Sequence, residues 1–506
     1  MQASPCLLGI DLGAGSLKAT VVTRDGRVVA AQSADIPTHE PRPGWSEQEP
    51  QDWWRALCKA VPAALTRAGL APTSIAAVSF SAGAHTSVLE GSDGRVLRPA
   101  ILWTDQRSAT QAVELWDTAG EEFMRVALNR PTATWTAPQL LWLSRHEPHL
   151  TRAAQRLYLA KDWLRSRLTG GWETDRTDAV GTLLFDVSAD AWSESLCERV
   201  NWDVRKLPPI LAATALAGTV TKAAAAACGL AAGTPVVCGT SDTSVETFGV
   251  GSIRPGDATV KLATAGTISI VRQAPEVHPT LINYPFVMPG LWYTITGTNS
   301  CASAHRWLRD RFFAQHGSEA FEIMDAMAAA TPAGAAGLLF HPYLQGERAP
   351  HWDPLLRASF IGMRFHHGPG HFVRALYEGI AFSLRDVLEQ FRARGIDIRS
   401  VRIAGGGARS ACWRQVVADI LGVEVYLPRV TDASFGAALL AGIGAGLFAD
   451  EYAAALACTE IVARTAPRAD GGALYEELFD LYRRSHLALA PIDHALSRLA
   501  AKELTR

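Results

Sequence analysis

Apolar and polar positions come in short blocks at the start of the chain. Leu7–Asp11 is a brief apolar run, Gly13-Ala14-Gly15 interrupts it, and Ser16–Thr23 resumes with β-branched residues. Asp25-Gly26 reads as a hairpin turn and Val28–Ala31 leaves it, so the spacing predicts a three-stranded meander. The period then changes. Across Pro50–Ala68 the residues Trp54, Leu57, Val61, Ala64, Leu65 and Ala68 recur three or four apart, which predicts a helix with one buried face. A further apolar run, Ile75–Phe80, precedes a small-residue turn at Ser81–Ala84. Strand-like and helical stretches keep alternating, the pattern of an α/β fold.

Near Gly233–Ala265 the layout partly restarts. Pro235–Gly239 is a short strand, Asp242 opens a small-residue helix, and Thr259–Ala263, the turn Thr264-Ala265-Gly266 and Thr267–Val271 repeat the strand–glycine turn–strand order of residues 7–22. This predicts a second α/β domain starting near residue 245: an N-terminal domain over residues 1–245, a C-terminal one over 246–490 and a tail over 491–506. Within the second, His371–Arg394 is a long helix with Val373, Leu376, Ile380, Leu384, Val387 and Phe391 on a buried stripe. Val401–Ala404, Gly405-Gly406-Gly407, a helix over Ser410–Leu421 and Val423–Leu427 make a strand–turn–helix–strand unit. Ala433–Gly446 is nearly all Ala, Gly, Leu and Ile, which lets a helix approach its neighbours closely.

Composition narrows the class. At 506 residues, 48% apolar and 19% charged, the chain reads as globular with more than one core. A formal net charge of -2 with evenly spread signs offers no field for nucleic acid or an anionic bilayer, so a small-molecule partner is expected. No apolar run reaches membrane-spanning length, and Met1–Ile10 lacks the pattern of a secretory leader. The eight cysteines are scattered, with no CxxC pair or metal-ligand spacing, which reads as reduced thiols in a cytoplasmic protein.

Several residues carry candidate chemistry. Asp11 ends the first strand before a glycine turn: it is either an ordinary turn aspartate or a Mg²⁺ ligand beside N–H groups that face phosphate, with Lys18 adding positive charge. Asp242 follows a buried strand and opens a helix, as an N-cap or as a general base for a substrate hydroxyl. Gly405-Gly406-Gly407 is a tight turn or bare backbone against which a ligand lies, and it fits neither GxxxxGK[ST] nor GxGxxG. His85 is a packed histidine or a ligand contact. Trp103, Asp105 and Arg107 form either a sugar-binding aromatic–acid–base cluster or a surface ion pair.

Taken in order, these segments resemble the FGGY carbohydrate kinases, and among them xylulokinases most closely. The resemblance runs through Gly9-Ile10-Asp11-Leu12-Gly13, Trp45-Ser46-Glu47-Gln48-Glu49-Pro50, Arg98–Trp103, Lys161-Asp162, Thr177-Asp178 with Gly181-Thr182, Tyr343–His351 and Gly405–Ser410. It implies two ribonuclease-H-like domains of the actin and sugar-kinase ATPase type, with ATP and sugar meeting in an interdomain cleft. It implies ATP-dependent phosphorylation of a terminal hydroxyl of a small ketose, D-xylulose first, with Asp242 as catalytic base and Asp11 placing Mg²⁺. The phosphate turns then correspond to Gly13, Ser16 and Lys18 and to Thr264 and Gly266. Gly406, Gly407 and Ser410 fall at the adenosine, and Trp307 lies beside the nucleotide unless it only packs. Ala84, His85, Trp103, Asp105 and Thr243 fall at the sugar. A homodimer is compatible with the resemblance.

The chain departs from the xylulokinase pattern at the sugar. Ser81-Ala82-Gly83-Ala84-His85-Thr86 stands where Gln-Met-His-Gly is usual, with the histidine one position late, and Thr243 stands where Asn commonly follows the base. The Val78–Ser81 stretch followed by a histidine is similar to gluconate kinases as well, so a kinase for another sugar, polyol or sugar acid is the sibling reading. A nucleotide-dependent switch on the same fold is the rival class, and Asp242 with the Trp103 cluster argues against it.

Overall fold

The computed structural model describes residues 5–469 and 471–504. The chain forms two compact units, each assembled from several stretches. The first comprises the described residues through Ile253, Arg272–Thr294 and Val430–Thr459; the second comprises Arg254–Val271, Ile295–Arg429 and the described residues from Glu460. The chain thus does not divide once near residue 245, as its local patterns suggest, because later segments return to complete the first unit. Residues 491–504, expected as a tail, continue the helix Gly472–Leu504; the remaining two lie outside the described residues.

In the first unit the meander forms as the pattern predicts. Cys6–Leu12 pairs antiparallel with Ser16–Thr23, placing Asp11 opposite Lys18. The sheet runs Leu216–Thr219, Pro235–Val237, Ile75–Ala82, Cys6–Leu12, Ser16–Thr23, Val28–Asp35. The helix Pro50–Ala68 joins the meander to Ile75–Ala82, which lies parallel to Cys6–Leu12. Its buried stripe includes Trp53, Leu57, Ala60, Val61 and Ala64, so Trp53, rather than Trp54, is the aromatic anchor. One residue is about 100° of rotation on a helix, enough to turn Trp54 toward the rim.

The strand Ile75–Ala82 extends through Ser81 and Ala82, where a turn is expected. Thr240–Ser241 pairs with Ser81 and Ala82, and those bonds keep the chain extended. The register therefore sets Asp11, Ser81 and Thr240 in one row across three strands, and Asp242 follows two residues beyond. Helix Ala433–Gly444 packs on this end of the sheet, and its small residues have a steric cause. A Cβ on Gly9 would lie 1.8 Å from the Ser434 carbonyl oxygen, and one on Gly436 2.0 Å from that of Val245.

In the second unit the strands Gly266–Arg272, Asp257–Leu262, Ser400–Ala404, Val425–Pro428 and Ile461–Thr465 lie in that order. Asp257–Leu262 and Ser400–Ala404 are parallel neighbours, with Lys261 beside Ala404. The turns that follow them therefore leave the sheet at the same end. Helix Pro369–Arg392 buries the whole predicted stripe together with Arg374 and Glu378, which pair at 2.7 Å.

Candidate active site

The strand row gathers four carboxylates in the first unit. Asp11 accepts a hydrogen bond from the Ser81 hydroxyl at 2.7 Å. Its carboxyl is pushed up to about 8, first by burial, then by the charges of Asp242, Asp432 and Glu246. The positive charge expected from Lys18 is spent on Asp432, at 2.5 Å. Asp242 is the first residue of the helix Asp242–Gly249, and the N-cap position belongs to Ser241. Its carboxylate takes the Thr243 N–H at 2.6 Å and the Thr243 hydroxyl at 3.2 Å, and it sits where the helix dipole favours negative charge.

Gly13 closes the first turn by donating its N–H to the Ser16 carbonyl at 3.0 Å. Gln48 and Thr38 hold the Ala14 carbonyl. Gly13 and Ala14 also line a small cavity of about 20 Å³ with Gly83 and Trp103, so this turn and the Trp103 loop are neighbours. Trp103 is 44% exposed, a large indole face open to a ligand.

His85 and Asp105 differ from their expected roles. His85 takes a left-handed backbone, φ 76°, its carbonyl held by the Thr136 hydroxyl. Its ring stacks on Trp135 at 4.1 Å, and its Nε2 lies 2.6 Å from the Tyr284 hydroxyl. Burial drives the imidazole down to about 3, so the ring is neutral, with its Nε2 engaged by Tyr284. Ala84 sits beside it, next to Gly181. Asp105 is fully buried: Oδ1 accepts from the Arg107 N–H and Nε, and Oδ2 from the Ser46 N–H and Arg107 Nη2. With both oxygens committed, it braces the loop behind Trp103 and leaves no acceptor for a sugar. Nor is the Arg107 pair a surface one, since both side chains are enclosed.

The second unit carries the remaining predicted site residues. The helix Ala302–Phe312 holds the turn 263–265 by its N-terminal end: the Ala302 N–H reaches the Ala263 carbonyl at 2.7 Å, and Ser303 reaches the Thr264 carbonyl. Arg306 donates to the Thr264 hydroxyl at 2.9 Å. Gly266 has no room for a side chain, because a Cβ would meet Thr298 Oγ1 at 2.9 Å. In the triple glycine, Gly405 and Gly407 are pressed against Leu262 and Trp413, whereas Gly406 faces open space. Ser410 caps the helix Ala411–Leu421 by accepting from the Trp413 N–H at 2.8 Å and donates a hydrogen bond to Asp325. Its hydroxyl is thereby spent inside the protein. Beside it lies a cavity of about 560 Å³ lined by Asp325, Arg374, Ala411, Cys412, Gln415 and Arg468. Trp307 is half-buried and packs edge-on against Phe312 at 5.9 Å.

Residues 6–249 match the N-terminal domain of the FGGY family of carbohydrate kinases, and residues 262–445 match its C-terminal domain. The chain belongs to the FGGY family of carbohydrate kinases. A xylulose kinase from Bacillus subtilis (strain 168) is 33% identical over 497 residues, covering 97% of this chain and 98% of that protein. The crystal structure of xylulose kinase from Rhodospirillum rubrum superposes with a TM-score of 0.89 at 28% identity, covering 97% of this chain and 100% of that one. Gluconate kinase from Lactobacillus acidophilus superposes equally well, at 0.89 and 25% identity over 96% and 99% of the two chains. Backbone likeness therefore does not separate the two sugars.

As an FGGY kinase the protein uses ATP as the phosphoryl donor. Among the described residues no three His, Cys, Asp or Glu side chains converge as a metal-ligand set, and no helix is long and apolar enough to cross a membrane. All eight cysteines are free thiols. Reading the sequence missed Trp135, Tyr284, Tyr293, Glu246 and Asp432 around this site. Tyr284 and Tyr293 belong to the stretch Arg272–Thr294, which rejoins the first unit, and no local motif marks such a return.

Proposed function

We propose that this kinase transfers the γ-phosphoryl group of ATP to the terminal hydroxyl of D-xylulose, giving D-xylulose 5-phosphate. Near-full-length likeness to a protein named xylulose kinase supports the sugar. The observation that carries the chemistry is the placement of Asp242, at the start of a helix and beside Asp11 at the end of one strand row. A carboxylate there accepts the proton of the attacking hydroxyl as the P–O bond forms, and the reaction otherwise needs alignment and charge neutralisation.

Mg²⁺ fits this arrangement, because the Asp11 carboxyl is crowded by like charge while Lys18 is engaged elsewhere. One carboxylate with nucleotide phosphates and waters is a usual Mg²⁺ environment, and the ion would neutralise charge on the transferred group. Taken separately, the first unit offers the backbone of the Gly13 turn to phosphate, and the second offers the Thr264 turn to phosphate and Gly406 with the cavity beside Ser410 to the adenosine. Trp103 offers the sugar a stacking face.

The test is ADP release with Mg²⁺-ATP across ketoses, polyols and aldonic acids, in wild type and Asp242→Asn. The expected result is turnover with D-xylulose that falls by roughly 10²–10⁴ in the variant while sugar binding persists. Wild-type turnover with another sugar only would refute the substrate, and near-normal turnover by Asp242→Asn would refute its role.

A further inference from the structure

Behind the aromatic face of the first unit lies a buried ionic cluster that the proposed transfer does not use. Lys161 Nζ reaches Asp162 at 2.7 Å, Asp175 at 2.8 Å and Asp178 at 2.9 Å, and Arg165 reaches Asp162 at 2.7 Å. All five side chains are almost wholly enclosed. Three buried acids thus face two buried bases, and burial with the charges of Asp175 and Asp162 pushes the Asp178 carboxyl up to about 8. Glu173, which also reaches Arg165, is partly exposed.

Asp178 differs from its neighbours in where it stands. Oδ2 faces Lys161, whereas Oδ1, like Asp162 Oδ2 and Asp175 Oδ1, is buried with no hydrogen-bond partner. An enclosed polar atom left unsatisfied is costly and calls for an explanation such as an absent ligand. The helix carrying it, Arg176–Gly181, is the one that touches the aromatic face. A Cβ on Gly181 would lie 3.3 Å from the His85 ring, 3.6 Å from Ala84 and 3.7 Å from Tyr284. Tyr284 and Tyr293, stacked at 5.3 Å, both feel the charges of Asp178 and Asp242. Each nearby cation is already matched: Lys161 by three carboxyl groups, Arg165 by Asp162 and Lys18 by Asp432.

Resting on the proposed xylulose kinase reading, we infer that Asp178 is a specificity-determining residue whose unpartnered Oδ1 hydrogen-bonds an uncharged oxygen of the sugar. Among the described residues beside this cluster, Lys161, Arg165, Lys18 and Arg176 are each engaged by carboxyl groups, which leaves none of these cations to meet a carboxylate, so the site accepts a neutral ketose and rejects a sugar acid. Asn at this position preserves shape and the contact with Lys161 but alters the donor and acceptor pattern at the second atom.

The experiment compares wild type with Asp178→Asn, reading KM and kcat for D-xylulose, KM for ATP, and thermal melting. The expected outcome is a rise of at least about tenfold in the KM for D-xylulose, with the ATP KM within about twofold and the melting transition retained. D-gluconate at millimolar concentration neither turns over nor competes in wild type. A folded variant with unchanged sugar KM overturns the role of Asp178, and a wild type that binds D-gluconate as well as D-xylulose overturns the charge argument. Should the variant not fold, hydrogen exchange of wild-type Arg176–Gly181 decides: slowing by D-xylulose without ATP supports the contact, and no change overturns it. A wild type inactive on D-xylulose overturns the substrate reading itself, a different result from a loss confined to the variant.

Discussion

Asp105 offers a sharp test, because its residue type suggests a sugar ligand and its surroundings assign it to the scaffold. Consider Asp105→Asn. The native carboxylate accepts four hydrogen bonds, from the Ser46 N–H at 2.6 Å and from Arg107 N, Nε and Nη2 at 2.8, 2.9 and 2.7 Å. Asn keeps one oxygen for part of this network and turns an NH₂ group toward donors, while Glu47, at 2.7 Å, becomes the one carboxylate paired with Arg107, beside the Trp45 and Trp142 faces. Removing one partner of a buried ion pair costs about 3–5 kcal/mol, because the remaining charge stays desolvated. For a unit of this size each kcal/mol moves the melting temperature by about 2–4 °C, so a drop on the order of 10 °C is expected. Differential scanning calorimetry measures it, and D-xylulose titration at 20 °C measures binding. Sugar affinity within about threefold of wild type is expected where the variant is folded. An unchanged melting temperature with a tenfold loss of sugar affinity would refute the reasoning and return Asp105 to the sugar.

Other outcomes follow from particular contacts. Gly436→Ala puts a methyl group 2.0 Å from the Val245 carbonyl oxygen, on the helix that begins at Asp242. Overpacking of this kind costs about 1–3 kcal/mol or more, so both melting temperature and kcat should fall; Gly406→Ala, which meets open space, should leave stability unchanged and raise only the ATP KM. Acid stability has a defined sign. His85 is held down at about 3, and His305, His341 and His486 at about 4, against about 6.5 when unfolded. The unfolded chain therefore binds more protons between those values, so this stability is whole above about pH 6.5 and is lost as pH falls through that window. The raised carboxyls of Asp11, Asp178 and Glu347 act in the opposite direction across this window, so the His85 contribution is read as a difference. Urea unfolding from pH 7.5 to 4.5 should lose less stability in His85→Gln than in wild type, and an identical pH slope in the two would refute the burial of His85 as a source.

Local order was legible in the chain itself, because strands, helices and turns answer to near neighbours. The meander at Leu7, the helix Pro50–Ala68 and the long helix through Phe391 follow from periodicity and from glycine turns, which act over a few residues. The small-residue run at Ala433 announced close packing, and Asp11 and Asp242 stood out as acids at strand ends. Their proximity was not legible, because it depends on Thr240–Ser241 pairing with Ser81 and Ala82 across a large sequence separation. The same holds for Asp105 and His85: a residue type advertises what a side chain can bind, but only its enclosure shows whether that capacity is already spent. Tyr284 and the unpartnered oxygen of Asp178 belong wholly to the tertiary structure. Hydrogen-bond satisfaction and charge balance are properties of a filled volume, and no linear pattern of residues encodes which atoms will share it.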